Sequence, residues 1–246
     1  MVNYPSWGIS VDIQKNYQRI LEAISRSARE AGRRPEEIRL VVVTKSQPLE
    51  AILMVIEAGA RYLGENYAEK ALPKIDALGD VPGVEWHMIG HVQSRKAYMV
   101  CKFFSYVHSL DSLKLAERYN SYAEELVRTL PVLLEFNMSG EETKSGFQGV
   151  DEESWDKLLP EVEQIANLPN LEVLGLMTMA PFFADPEGAR PYFKKLRRLQ
   201  SFLEKKFPQA NWGELSMGMS SDFEVAIQEG ATWLRIGQAI MGPREG

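Results

Sequence analysis

The chain has 246 residues, 45% of them apolar and 25% charged, and a formal net charge of -6. That balance is globular and long enough to bury a full core, and it argues against a nucleic-acid partner, which would call for a basic face or stripe. A single cysteine, Cys101, excludes a disulfide within the chain and favours a cytoplasmic home; no apolar run reaches the ~20 residues of a membrane span, and no signal peptide is expected at the N-terminus.

The first element is amphipathic. Ile13, Tyr17, Ile20, Leu21, Ile24 and Ala28 recur on one helical face, and Gly32 and Pro35 supply a stop. Short apolar runs then alternate with helical patterns. Strands are predicted at 40–44, 60–63, 84–88, 104–108, 132–136, 171–177, 214–216 and 233–236, the second and seventh being the weakest signals. Helices are predicted at 49–58, 67–77, 112–128, 152–166, 189–207 and 222–228. Such alternation implies a parallel sheet. Eight units in this length imply a closed TIM-type (β/α)8 barrel with an extra N-terminal helix, rather than an open Rossmann-like sheet. The Pro/Gly-rich stretches 79–83 and 181–188 are too short to be linkers, so one domain, 1–246, is expected. The basic run Lys194-Lys195-Leu196-Arg197-Arg198 interleaves with Phe193, Leu196, Leu199, Phe202 and Leu203 at helical spacing. It reads as the solvated face of an amphipathic helix.

In such a barrel the functional site lies where strands end and βα loops begin. The polar residues at those ends are Lys45, Gly64-Glu65-Asn66, His87, His108-Ser109, Asn137-Met138-Ser139, Met177-Thr178, Ser216-Met217-Gly218, and Arg235 with Gly237-Gln238. Lys45 follows the buried-strand run Val41-Val42-Val43. Its position alone leaves two readings open: a lysine snorkelling to solvent, or a desolvated amine suited to Schiff-base chemistry. Barrels often bind phosphate with the loops after strands seven and eight. Here residues 216–222 bring hydroxyls and a glycine, Ser221 and Glu224 stand at capping-box spacing, and Gly237 opens the second loop. His87, His91 and His108 have no zinc spacing, and no Walker A loop, G-x-G-x-x-G or G-x-S-x-G is present.

Seven pieces, in order along the chain, then carry a resemblance. They are Val43-Thr44-Lys45, Gly64-Glu65-Asn66-Tyr67, Trp86-His87-Met88-Ile89-Gly90-His91-Val92-Gln93, Ser139-Gly140-Glu141-Glu142-Thr143-Lys144-Ser145-Gly146, Gly175-Leu176-Met177-Thr178-Met179, Leu215-Ser216-Met217-Gly218-Met219-Ser220-Ser221-Asp222-Phe223 and Arg235-Ile236-Gly237. Together they resemble the YggS/PROSC family, the pyridoxal phosphate homeostasis proteins. The resemblance implies a fold similar to the N-terminal barrel of alanine racemase, with pyridoxal 5′-phosphate (PLP) as cofactor. It implies an internal aldimine on Lys45, Asn66 beside the ring, Arg235 facing the pyridine nitrogen, and His87 and Met177 lining the pocket. Ser216, Met217, Gly237 and Gln238 would hold the phosphate. Gln238 stands where the family often has serine or threonine, which puts one side-chain bond in question.

The implied function is intracellular PLP homeostasis, by buffering the cofactor or delivering it to apo PLP-dependent enzymes, with effects on amino-acid and keto-acid balance. A slow amino-acid racemase is the alternative, and a Schiff-base enzyme acting on a phosphorylated metabolite a third reading. An always-charged guanidinium beside the ring nitrogen keeps it unprotonated and weakens the ring as an electron sink. Gly246 follows soon after strand eight. The β-rich second domain of alanine racemase, which brings a tyrosine base, is therefore expected to be absent. An open site, a monomer and no robust catalysis are the corresponding expectations.

Overall fold

The β-branched runs become the staves of a barrel, and each apolar helical stripe becomes its outer lining. The computed structural model describes residues 2–3 and 10–243. Helix α1, Ile13–Glu30, starts at Asp12, whose carboxylate accepts from the Lys15 N–H at 2.9 Å. Gly32, at φ +71°, takes the left-handed turn that closes it, and the Arg33 N–H donates back to the Ala28 carbonyl at 2.8 Å.

The staves are β1 Arg39–Val43, β2 Tyr62–Glu65, β3 Glu85–Met88, β4 Tyr106–Leu110, β5 Leu130–Asn137, β6 Leu171–Met177, β7 Glu214–Ser216 and β8 Trp233–Ile236. They pair in parallel in the order β4-β3-β2-β1-β8-β7-β6-β5, and a β4–β5 pairing closes the ring. The expected (β/α)8 barrel is thus present. A two-stranded ribbon, Val2–Asn3 with Ser10–Val11, precedes α1, and Phe147–Gln148 runs beside the end of β5.

The outer helices are α2 Leu49–Glu57, α3 Ala68–Leu78, α4 Ala97–Phe103, α5 Leu113–Glu125, α6 Leu159–Ala166, α7 Arg190–Lys206, α8 Phe223–Gln228 and α9 Gln238–Met241. Three local outcomes differ from the sequence pattern. Strands two and four each lie two residues later than their expected ranges, 60–63 and 104–108. Helix α4, with only seven residues, had no predicted counterpart. The 152–166 segment divides into a 3₁₀ stretch, Glu152–Leu158, and α6, with Pro160 in the first turn of α6, where its missing N–H leaves nothing unpaired.

Apolar residues between strands and helices form the main core, while Val41, Ile89, Tyr106, Leu133, Met177 and Trp233 pack inside the barrel. At the N-terminal mouth the interior is polar. Arg39 pairs with Glu214 and lies 3.9 Å over the Trp233 ring. Tyr106 Oη and Trp233 Nε1 each donate to Glu214 Oε2 at 2.5 Å. This ion-paired plug fills that mouth, so the opposite one is left for a site.

Candidate cofactor pocket

Lys45 is placed by a clamp on the end of β1. Thr44 donates its N–H to the Gly64 carbonyl at 3.0 Å and its hydroxyl to Glu65 Oε1 at 2.8 Å. Lys74 of α3 donates to that same carboxylate oxygen at 2.7 Å and to the Thr44 carbonyl at 2.9 Å. Directly after Lys45, Ser46 takes φ +58°, a conformation that side chains other than glycine rarely adopt. The chain therefore turns sharply as it leaves the strand, with Lys45 half-buried on the wall of a pocket of about 390 Å³.

The rest of the wall comes from strand ends around the barrel. Val43, Asn66 and Ile89 follow from the first three strands, Met179 and Phe182 from the loop after β6, Met219, Ser220 and Ser221 from the loop after β7, and Arg235, Gly237 and Gln238 from β8 and its loop. Gly90 allows the two loops near Asn66 to approach: a Cβ there would lie 2.5 Å from the Asn66 carbonyl oxygen. Gly237 lies against Val43, where a Cβ would stand 3.1 Å from the valine Cβ.

Arg235 is 3% exposed. It donates from Nη1 to Ser216 Oγ at 2.5 Å and from Nη2 to the Thr178 carbonyl at 2.9 Å. Burial pulls its pKa down to about 10, opposed by the nearby charges of Glu135 and Asp222, so it remains a cation at neutral pH. The loops after β7 and β8 are tied together where Ala239 N–H donates to Ser220 Oγ at 3.3 Å. Asp222 accepts from Met219 N–H at 2.6 Å and holds the first of these loops in shape. The capping box expected from Ser221 and Glu224 does not form. The residue before α8 is Asp222, which makes no side-chain cap bond, and Glu224 instead pairs with Arg26 of α1 at 3.2 Å.

Of the nine residues expected at the site, Lys45, Asn66, Arg235, Gly237 and Gln238 meet on this one wall. The other four are buried and off the wall. Met177 belongs to the barrel interior, Met217 to the outer core, and Ser216 is Arg235's partner. His87 stacks on Tyr106, ring centroids 5.2 Å apart, and shares a 2.8 Å hydrogen bond with His108. Two buried residues near Arg235, Glu135 and His108, are not among the nine expected site residues. Glu135 is a charge embedded in the apolar run 132–136, which was itself the available signal. His108 was visible as a strand-end histidine, but its partners were not.

The pocket suits a small, dipolar, phosphorylated ring. It offers an amine, a buried guanidinium, and hydroxyls beside a glycine-lined loop, within the size range of small-molecule sites. The barrel is of the alanine racemase N-terminal type: the family model described as alanine racemase, N-terminal domain, matches residues 16–245. The chain is 39% identical over 236 residues to the pyridoxal phosphate homeostasis protein of Vibrio alginolyticus, covering 95% of this chain and 98% of that one. It is 40% identical over 227 residues to the protein of the same name from Aquifex aeolicus, covering 92% and 96%. The structure of PipY from Synechococcus elongatus with PLP bound superposes with a TM-score of 0.81 at 32% identity, covering 94% of this chain and all of that one. The chain belongs to the pyridoxal phosphate homeostasis protein family.

Proposed function

We propose that this protein binds PLP in the pocket at the C-terminal mouth and serves to buffer the cofactor or deliver it to apo-enzymes, without being an enzyme itself. The observation that carries the reading is the meeting of Lys45 and Arg235 on one wall, with the loops after β7 and β8 beside them. Lys45 would hold the cofactor as a Schiff base, and Arg235 would face the ring nitrogen as a cation. Asn66 would stand beside the ring. The phosphate would lie against Gly237, Gln238, Ser220 and Ser221, with Met217 supporting that loop from behind. Ser216 would act through its bond to Arg235, and Met177 and His87 would form the packed floor.

The non-catalytic part of the proposal rests on the wall's composition. Lys45 and Arg235 are its only ionisable residues among those described. Abstracting and returning a proton on opposite faces of a carbon needs two placed groups, and Lys45 supplies one. The relatives are named as homeostasis proteins, in keeping with this. A single domain, a monomer and a cytoplasmic location belong to the same reading. The last accords with a lone, buried Cys101, whose thiol burial pushes up to about 12.

The test is spectroscopic. Purified protein mixed with PLP should develop the visible absorbance of a lysine-bound cofactor, and Lys45→Ala should abolish it. The loaded protein should then activate the apo form of a PLP-dependent enzyme. Sustained Lys45-dependent turnover of an amino acid would overturn the carrier reading.

A further inference from the structure

Behind the pocket a row of polar side chains crosses the barrel interior. Arg235 Nη1 lies 2.5 Å from Ser216 Oγ. Ser216 Oγ lies 2.8 Å from His108 Nδ1, and His108 Nε2 lies 2.8 Å from His87 Nδ1. His87 Nε2 stands 3.8 Å from Glu85 Oε2, outside hydrogen-bond range, and has no closer partner. Glu85 opens β3 at the opposite mouth and is exposed. Ser216 and both imidazoles are fully buried.

One donor order suits both ends of this row, because the reverse would set a bare His87 Nε2 lone pair toward the Glu85 carboxylate and leave the Ser216 proton without an acceptor in the row. A guanidinium has no acceptor, so Ser216 accepts from Arg235 and its own proton goes to His108 Nδ1. His108 then carries its proton on Nε2 and gives it to His87 Nδ1. His87 in turn carries its proton on Nε2, aimed at the Glu85 carboxylate. Every member is consistent with neutral rings, and burial drives both histidines below their ordinary pKa. Packing fixes the rings: His87 lies flat on Tyr106 with planes 3° apart, and Trp233 contacts both histidines.

We propose that His108 and His87 are positioning residues for Arg235, forming with Ser216 a one-way donor chain that fixes the guanidinium from behind and ends at Glu85 on the far mouth. Without an acceptor at His108 Nδ1, nothing in the row takes the serine proton, and the hydroxyl's lone pair is no longer held toward the guanidinium. His108 thus commits Ser216 to accepting. The consequence for PLP rests on the proposed function, which sets the ring nitrogen against Arg235; the chain itself does not.

The experiment has a part that needs no cofactor. In unloaded protein at neutral pH, ¹⁵N spectra of labelled histidines should place both His87 and His108 as neutral Nε2–H tautomers. An Nδ1–H tautomer or an imidazolium at either position overturns the chain. Glu85→Gln, at an exposed site, should shift the signals of His108 as well as those of its neighbour His87; a response confined to His87 overturns the coupling. In the second part, His108→Leu should weaken PLP binding about tenfold, what one hydrogen bond to a charged group is worth. His108→Gln can accept from the serine and donate onward, so it should retain most of the affinity. Equal affinities for the Leu and Gln variants overturn the positioning role. If the wild type takes up no PLP at all, the proposed function fails while the tautomers still decide the chain.

Discussion

Arg235 and Glu135 lie inside the barrel beneath one pocket, and burial moves them in opposite directions. The arginine is drawn down to about 10 and stays charged, whereas the carboxyl of Glu135, 3% exposed, is pushed up to about 7. Desolvation is the main cause for Glu135, reinforced by the nearby charge of Asp111 and partly offset by Arg235 and His91. A carboxyl whose folded pKa exceeds its unfolded one favours the folded state while it is protonated. That contribution is complete below the unfolded value near 4.5 and is lost as pH rises through about 7. The shift corresponds to roughly 3 kcal/mol. Glu135→Gln should therefore match the wild type at pH 4, and exceed it in urea-unfolding free energy at pH 9 by an amount of that order. A gap that is equal at both pH values would show that Glu135 does not titrate in this range.

Elements, rather than single side chains, aim Lys45. The clamp of Thr44, Glu65 and Lys74 joins β1, β2 and α3, and Glu65 is 1% exposed. Removing the cation from a buried pair strands the remaining charge, at a cost of about 3–5 kcal/mol. Lys74→Met should destabilise the protein by that order in chemical unfolding, and Glu65→Gln in the same chain should recover much of the loss. Additive losses in the double variant would mean that the pair is not coupled. This clamp also marks where the sequence stopped being informative. Strand two was expected at 60–63 because Gly64 and Glu65 read as loop, a flexible residue and a charge. The charge belongs in the strand because Lys74, nine residues on, neutralises it from a helix, and composition does not register that pairing. Strands β6, β7 and β8 coincide with their expected ranges, and β8 runs directly into Gly237. Helix α4 escaped because Ala97–Phe103 is too short to display a 3.6-residue period. At the site, residues on strand ends and adjoining loops were legible by type. Which of them face the cavity depends on register: Ser216 turns inward to Arg235, and Ser220 and Ser221 take the wall.

At the scale of the molecule, the two ends of the barrel and its outer ring divide the work. Seven strands are followed by helices α2 to α8, but among the described residues β8 is followed only by the four-residue α9. Helix α1 fills that gap, packing against α2, α8 and α9 with Ile13, Tyr17, Ile20, Ile24 and Ala28 buried. A segment that precedes the barrel in sequence thus completes its outer layer. It does so away from the pocket, since α1 contributes no residue to that wall. Stability and cofactor binding should therefore separate. Ile24, 5% exposed, fills the seam between α1 and the ring. Its truncation to alanine should cost about 2–5 kcal/mol, the range for opening a cavity at a buried isoleucine. Below the lowered transition, the affinity for PLP should be unchanged, and saturating PLP should raise the melting temperature of wild type and Ile24→Ala alike, since ligand linkage depends on concentration relative to Kd and not on the starting stability. Thermal unfolding with and without PLP, beside a titration at low temperature, checks both halves. A loss of affinity in step with the loss of stability would show that the outer ring reaches into the pocket, and that the fold does not keep scaffold and site apart.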